Sequence, residues 1–310
     1  MNASKFDNLT KALKKGQVRA CLVARRSELA FEYYRNKKAE TALSPIHSCT
    51  KSVVSMLIGI CLNEGLLRDI NVPIKEFFGD YPALRDGSGK DAITISHLLT
   101  MTPGFAWPEF GAWNYGTPME FSTDMVGFVL NRDLETLPGE RMVYNSGCSH
   151  LLGAIIQKVS GMKTIEFAQK HLFTPLEIKD VVWYEKQGIN LGANGLKMTP
   201  SDMLRLGTLY LQRGKWNGRQ LVPEAWIDES TKPRFLTYPD IGQYGYHWWV
   251  SELERDDKAV PYYFAMGLFG QFTIVVPELE TVVVFVSENY GDTMQPMRYF
   301  REIIIDSLGA

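Results

Sequence analysis

The sequence predicts a mixed fold, α/β plus all-α: an antiparallel sheet flanked by helices, with a helical insertion in the middle of the chain. Three observations carry this expectation. Near the carboxyl end, Gln271–Val276 and Thr281–Ser287 are continuous runs of β-formers joined by Pro277-Glu278-Leu279-Glu280. Both are apolar on both faces, as strands are when helices cover a sheet on each side. Near the amino end, Val18–Arg25 and residues 29–34 form a second hairpin pattern around the polar Arg26-Ser27-Glu28. Almost everything between these two hairpins reads as helix.

Taken in order, an amphipathic helix is expected over residues 3–15, followed by the first hairpin. From 50 to about 62 the chain is apolar on nearly every helical face, and Asn63-Glu64-Gly65 supplies a stop. Such a helix must be buried. Helical patterns follow at 95–101, 122–130, 149–159, 164–171 and 200–213, joined by loops rich in Pro, Gly and Trp. A last helix, about 294–307, covers the C-terminal hairpin. The natural pairing puts both chain ends in one sheet. Residues 1–48 and 195–310 are therefore expected to build the sheet domain and 49–194 a mainly helical domain, with the active site in the cleft between them. Repeats and low-complexity tracts are absent from the sequence.

Composition narrows the function. The 310 residues are 45% hydrophobic and 22% charged, and 33 basic against 35 acidic side chains leave a net charge of −2. That balance lacks the basic footprint of a nucleic-acid or anionic-lipid binder, and a small neutral substrate fits it better. The amino terminus has dispersed lysines and no apolar run of signal-peptide length, and the apolar run 53–62 is about half a membrane span. The four cysteines show no CxxC pairing, so reduced thiols and a cytoplasmic protein are expected. The five histidines have no metal-ligand spacing and are read as structural.

The chemistry concentrates at Ile46-His47-Ser48-Cys49-Thr50-Lys51, which leads directly into the buried helix. Ser48 falls at the helix start and Lys51 three residues later on the same face, so hydroxyl and amine can meet. A serine hydroxyl needs a partner to take its proton at neutral pH, and a lysine desolvated in a packed junction can do so. Free N–H groups at the helix start favour a developing oxyanion. The competing reading is a serine cap beside a surface lysine. Cys49 at the helix start is a further candidate nucleophile, but it points about 100° away from Ser48 and is read as packing.

Four more segments follow in order: Ile95-Ser96-His97-Leu98-Leu99-Thr100-Met101-Thr102-Pro103-Gly104; Pro138-Gly139-Glu140 with Tyr144-Asn145-Ser146-Gly147; Gly195-Leu196-Lys197-Met198-Thr199-Pro200; and Gly267-Leu268-Phe269-Gly270-Gln271. Together with Ser48-Cys49-Thr50-Lys51 they resemble, over nearly the whole chain, the serine β-lactamase-like superfamily. This group holds class C β-lactamases, penicillin-binding proteins, esterases and 6-aminohexanoate-dimer hydrolases. The resemblance implies the β-lactamase/transpeptidase-like fold and an acyl-enzyme on Ser48, with Lys51 as base and no cofactor. Tyr144 is the implied proton shuttle, acting as a phenol can where nearby cations lower its pKa. The backbone N–H groups of Ser48 and Leu268 are the implied oxyanion hole.

Two motifs depart from the family. Where it reads Tyr-x-Asn, this chain has Tyr144-Asn145-Ser146; Ser146 can still bond Lys51 or a substrate amide, and Asn145 should point away. Where β-lactamases carry Lys-Thr-Gly or His-x-Gly, this chain has Ala265-Met266-Gly267, so the anchor for a β-lactam carboxylate is missing. Gly267 still permits close backbone approach. The expected activity is therefore cleavage of a small carboxylic ester or amide, with weak or no β-lactamase activity. A covalent penicillin sensor that does not turn over, or a true class C-like β-lactamase, is the alternative. Ala265, Gly267 and Ser146 are candidate substrate contacts, together with the loop aromatics Trp107, Trp113 and Tyr115. The same aromatics also read as a hydrophobic plug.

Overall fold

The computed structural model describes residues 3–110, 116–255 and 257–308. Helix α1 (Ala3–Lys15) leads into β1 (Val18–Arg25) and β2 (Glu28–Tyr34), and the buried helix α2 (Cys49–Asn63) follows. The helical stretch contains α3 (Ile95–Leu99), α4 (Met125–Leu130), α5 (Ser146–Ser160) and α6 (Pro200–Leu211). The chain then returns through β3 (Phe235–Leu236), β4 (Gln243–Tyr244), β5 (Trp249–Arg255), β6 (Lys258–Gly267), β7 (Gln271–Val276) and β8 (Thr281–Ser287), and α7 (Gln295–Tyr299) begins the closing helical segment.

These eight strands form one sheet in the order β3-β4-β5-β6-β7-β8-β1-β2. The chain ends do meet in it: β1 pairs antiparallel with β8, Leu22 opposite Val284 and Val23 opposite Val283. The strand pleat explains the sequence pattern. On β8, Val282, Val284 and Val286 face one core with Ala20 and Leu22 of β1, while Val283 and Phe285 face the other with Cys21 and Val23. The second face is covered by Phe6, Leu9 and Leu13 of α1 and by Phe300 and Ile304 beyond α7. The first is covered by α6 and α2, and Gly207 lets α6 sit directly on the strands. A Cβ there would lie 2.5 Å from Val282 Cγ1 and 2.7 Å from Thr273 Cγ2.

Helix α2 is buried along its length from Cys49 to Cys61, as an all-round apolar helix must be. Strands β5 and β6 extend the sheet beyond the two hairpins read from sequence, and their register runs from Trp249 opposite Phe264 to Arg255 opposite Lys258. Their signal is broken by alternating charges on β5 and by Pro261 inside β6. Helix α5 starts three residues before the apolar pattern suggests. Asn145 provides the reason, since its side chain accepts from Cys148 N and caps the helix there. All four cysteines are buried free thiols. Among the described residues, no helix is long and apolar enough to cross a membrane.

Candidate active site

The site is assembled where the start of α2, the start of α5 and the end of β6 converge. Ser48 occupies the cap position of α2 with φ −67° and ψ −6°, yet its hydroxyl makes no capping hydrogen bond. The residue before it, His47, has φ 47°, a left-handed conformation that costs a non-glycine residue energy and turns the chain sharply into the helix. The hydroxyl is directed elsewhere. Lys51 Nζ lies 3.1 Å from Ser48 Oγ, 3.2 Å from Ser146 Oγ and 3.0 Å from the Ala193 carbonyl oxygen. Lys51 is 2% exposed, which excludes the surface-charge reading. Burial pulls its ammonium down to about 8, against the opposing pull of Glu109 first and then Cys148, Cys49 and Glu120. An amine so placed is available to accept a proton near neutral pH.

Tyr144 stands over this lysine, with Nζ 4.9 Å from the ring centroid. Its ring is held between Phe110 (centroids 5.5 Å apart) and Trp249 (5.6 Å), both nearly parallel to it. The expectation of a phenol made acidic by nearby cations is corrected here. Burial dominates and pushes the Tyr144 phenol well up, only partly offset by a hydrogen bond with Ser48. Tyr144 is therefore a neutral O–H group, suited to donate rather than to accept.

Gly267 brings β6 against the nucleophile turn. A Cβ at this position would lie 2.3 Å from the Ile46 carbonyl oxygen and 3.1 Å from Ser48 N, so only glycine allows that approach. The turn beyond it is pinned: Phe269 N donates to Thr293 Oγ1 at 3.1 Å, Asn289 N donates to Phe269 O at 3.0 Å, and the buried Gln271 side chain reaches Ser287 O at 2.6 Å. Leu268, in that turn, is half exposed. Cys49 is buried, its thiol donates to Gln271 O at 3.5 Å, and burial pushes it up. These are properties of a packing residue, not of a reactive thiolate.

Other sequence candidates fall differently. Asn145 points away from the site as the cap of α5, whereas Ser146 points at Lys51. Ala265 lies on the same strand face as Gly267, and its methyl is buried in the core with Cys49 and Val53 of α2 instead of being open to a substrate. Trp107 is also in that core, edge-on to Phe128 with centroids 6.1 Å apart; it is the plug of the two readings, with its indole apolar face used up by packing. Trp113 and Tyr115 lie outside the described residues.

One functional group was not singled out from sequence. Glu109 Oε1 accepts from Ser146 Oγ at 2.5 Å, and Oε2 accepts from Ser146 N at 3.0 Å and Trp107 Nε1 at 2.5 Å. It reaches the site from the loop after Phe105, where no periodicity marks it. The only local hint is its position two residues after a tryptophan whose N–H needs an acceptor.

A 6-aminohexanoate-dimer hydrolase of Paenarthrobacter ureafaciens is 24% identical over 312 residues, covering 92% of this chain and 76% of that protein. A lovastatin esterase of Penicillium rubens is 27% identical over 184 residues, covering 54% of this chain and 46% of the relative, so this match spans under half of that protein. Among solved structures, the octameric penicillin-binding protein homologue of Pyrococcus abyssi superposes with a TM-score of 0.79 at 19% identity, covering 99% of this chain and 78% of that one. Such a likeness speaks for the fold alone. The profile of the Beta-lactamase family matches residues 6–303, and with all but the two ends inside that match the chain belongs to the Beta-lactamase family.

Proposed function

We propose that this protein is a serine hydrolase that cleaves a small carboxylic ester or amide through an acyl-enzyme on Ser48, with weak or no β-lactamase activity. The observation that carries the reading is the buried Lys51 amine 3.1 Å from Ser48 Oγ. Neutral Lys51 takes the hydroxyl proton as Ser48 Oγ attacks the substrate carbonyl. The resulting oxyanion is held by the N–H groups of Ser48 and Leu268, which survive the side-chain departures in the third motif. The phenol of Tyr144 gives its proton to the leaving alkoxide or amine and is reprotonated from Lys51. Water then attacks the acyl-enzyme as neutral Lys51 takes its proton, and the protonated amine returns that proton to Ser48 Oγ as the acyl group leaves. This cycle uses only groups of the chain.

The preference for esters and linear amides follows from Ala265-Met266-Gly267. A β-lactam carries a carboxylate beside its scissile amide, and a cation opposite it contributes about 1.5 to 3 kcal/mol. Alanine at 265, turned into the core, contributes nothing of the kind. At about 1.4 kcal/mol per decade the loss is roughly 10-fold to 150-fold in kcat/KM. Neutral esters lose nothing by the same change. The test is a paired kcat/KM for p-nitrophenyl butyrate and nitrocefin. The ester value should exceed the nitrocefin value; equality or the reverse would return the protein to the β-lactamase branch, with another cation serving as anchor.

A further inference from the structure

Three hydrogen-bond partners surround Lys51 Nζ, and they are not equivalent. A neutral amine has two N–H bonds and one lone pair, so of its three partners two must accept and one must donate. The Ala193 carbonyl oxygen can only accept. Ser48 and Ser146 are both hydroxyls and could each do either. If Ser146 donated to the lysine, the lone pair would be occupied by the wrong serine, and Ser48 would keep its proton.

Glu109 removes the ambiguity. Its Oε1 is 2.5 Å from Ser146 Oγ and, being a carboxylate oxygen, can only take the hydroxyl proton. Its Oε2 is fixed by Trp107 Nε1 and by Ser146 N, so the carboxylate cannot turn aside. Resting on the serine-hydrolase reading above, we propose that Glu109 is a positioning residue: by holding the Ser146 proton it keeps Ser146 an acceptor, and so aims the Lys51 lone pair at Ser48. The same arrangement argues against Glu109 as a substrate anchor, because both of its oxygens already have donors. It also accounts for serine at 146, where the family usually has asparagine. A hydroxyl has no fixed polarity of its own and takes the direction its neighbour imposes.

Charge acts alongside direction. The groups facing Lys51 are Cys49 on its own helix, Cys148 and Ser146 on α5, Tyr144, His247 before β5, Glu109, and Glu120, which is bonded to Asn194 Nδ2 at 2.7 Å. Burial pushes both thiols and the phenol up and holds His247 down to about 3, so these four stay neutral around pH 7 to 8. The two carboxylates act on the Lys51 ammonium against burial, Glu109 more strongly than Glu120.

The test uses the full-length protein and a fluorophosphonate probe, whose rate of capture by Ser48 is followed against pH. In E109Q the amide oxygen must face the two N–H donors, leaving the NH₂ group opposite Ser146. Ser146 then accepts from Gln and turns its own proton toward Lys51. The plateau capture rate should fall roughly tenfold to a hundredfold, and the acid limb should move down by about one pH unit as the neighbouring negative charge is lost. In an S146A background the hydroxyl is gone, so E109Q should add no further loss of plateau rate to that of S146A alone. Three results would each overturn the proposal: E109Q matching wild type in both readouts, a moved limb with an unchanged plateau, or the same plateau loss with and without the Ser146 hydroxyl. S48A run in parallel separates the two readings. Capture that persists in S48A refutes the nucleophile, whereas its loss in S48A beside an unaffected E109Q refutes only Glu109.

Discussion

Raising the pH from about 7 to about 10.5 should strengthen the folded wild-type protein, relative to its Lys51→Met variant, by about 3 kcal/mol. Burial holds the Lys51 ammonium at about 8 in the folded protein, below its ordinary 10.5. Below about 8 the lysine is protonated in both folded and unfolded chains, and the full cost of burying the charge is present. Between about 8 and 10.5 the unfolded chain binds the extra proton, so stability rises with pH in that window. Above 10.5 the amine is neutral in both states and the cost has gone. At about 1.4 kcal/mol per pH unit the interval corresponds to about 3 kcal/mol, and with the side chain 2% exposed solvent screens little of it. The Met variant has no group to titrate at this position, so the difference between the two proteins isolates Lys51 from other ionisations. Urea unfolding of both across the pH range is the assay. Activity is set by the same proton: kcat/KM should fall tenfold per pH unit below about 8. A stability difference flat across the range, or an acid limb near pH 6, would refute the buried-base reasoning.

Two further outcomes follow from the packing of the site. Gly267→Ala should lower stability by about 1 to 3 kcal/mol, since its Cβ would meet the Ile46 carbonyl oxygen at 2.3 Å; by shifting the Leu268 N–H it should also lower kcat on the order of 10²-fold to 10³-fold, with thermal unfolding and steady-state kinetics as the measurements. Tyr144→Phe should keep its stacking between Phe110 and Trp249 but lose the proton donor, slowing alkyl esters and amides by about 10²-fold to 10⁴-fold. p-Nitrophenyl esters, whose leaving group needs no proton, should suffer far less, and equal losses on both substrate types would make the tyrosine structural.

The parts of this site that were legible in the sequence are those carried by local geometry. Three residues of helical spacing set Ser48 beside Lys51, and the all-round apolar composition of α2 implied that the lysine was desolvated. Likewise Asn145 and Ser146 divide as their places before a helix dictate, one capping and one facing inward. What was not legible depends on contacts between distant segments. Glu109 is 37 positions from Ser146, and nothing in its own neighbourhood announces that partner. The phenol of Tyr144 was read through its cation, but burial among Phe110, Trp249 and Tyr244 outweighs that charge. Trp107 shows the same limit: a tryptophan in a Pro/Gly-rich loop reads equally as a pocket wall or a hydrophobic plug, and only the fold, where it is 2% exposed, decides for the plug. Strands β5 and β6 escaped for a different reason, because charged alternation and an internal proline weaken the period that marks a strand.

The most direct test of the central claim is to locate the covalent adduct. Treatment with a fluorophosphonate, followed by peptide mass spectrometry, should place a single label on Ser48 in the wild-type protein and in Cys49→Ala. Ser48→Ala should take no label and lose kcat by a factor on the order of 10⁴ to 10⁶ while its thermal unfolding stays unchanged. A label on another residue, or turnover that survives in Ser48→Ala and disappears in Cys49→Ala, would contradict the account.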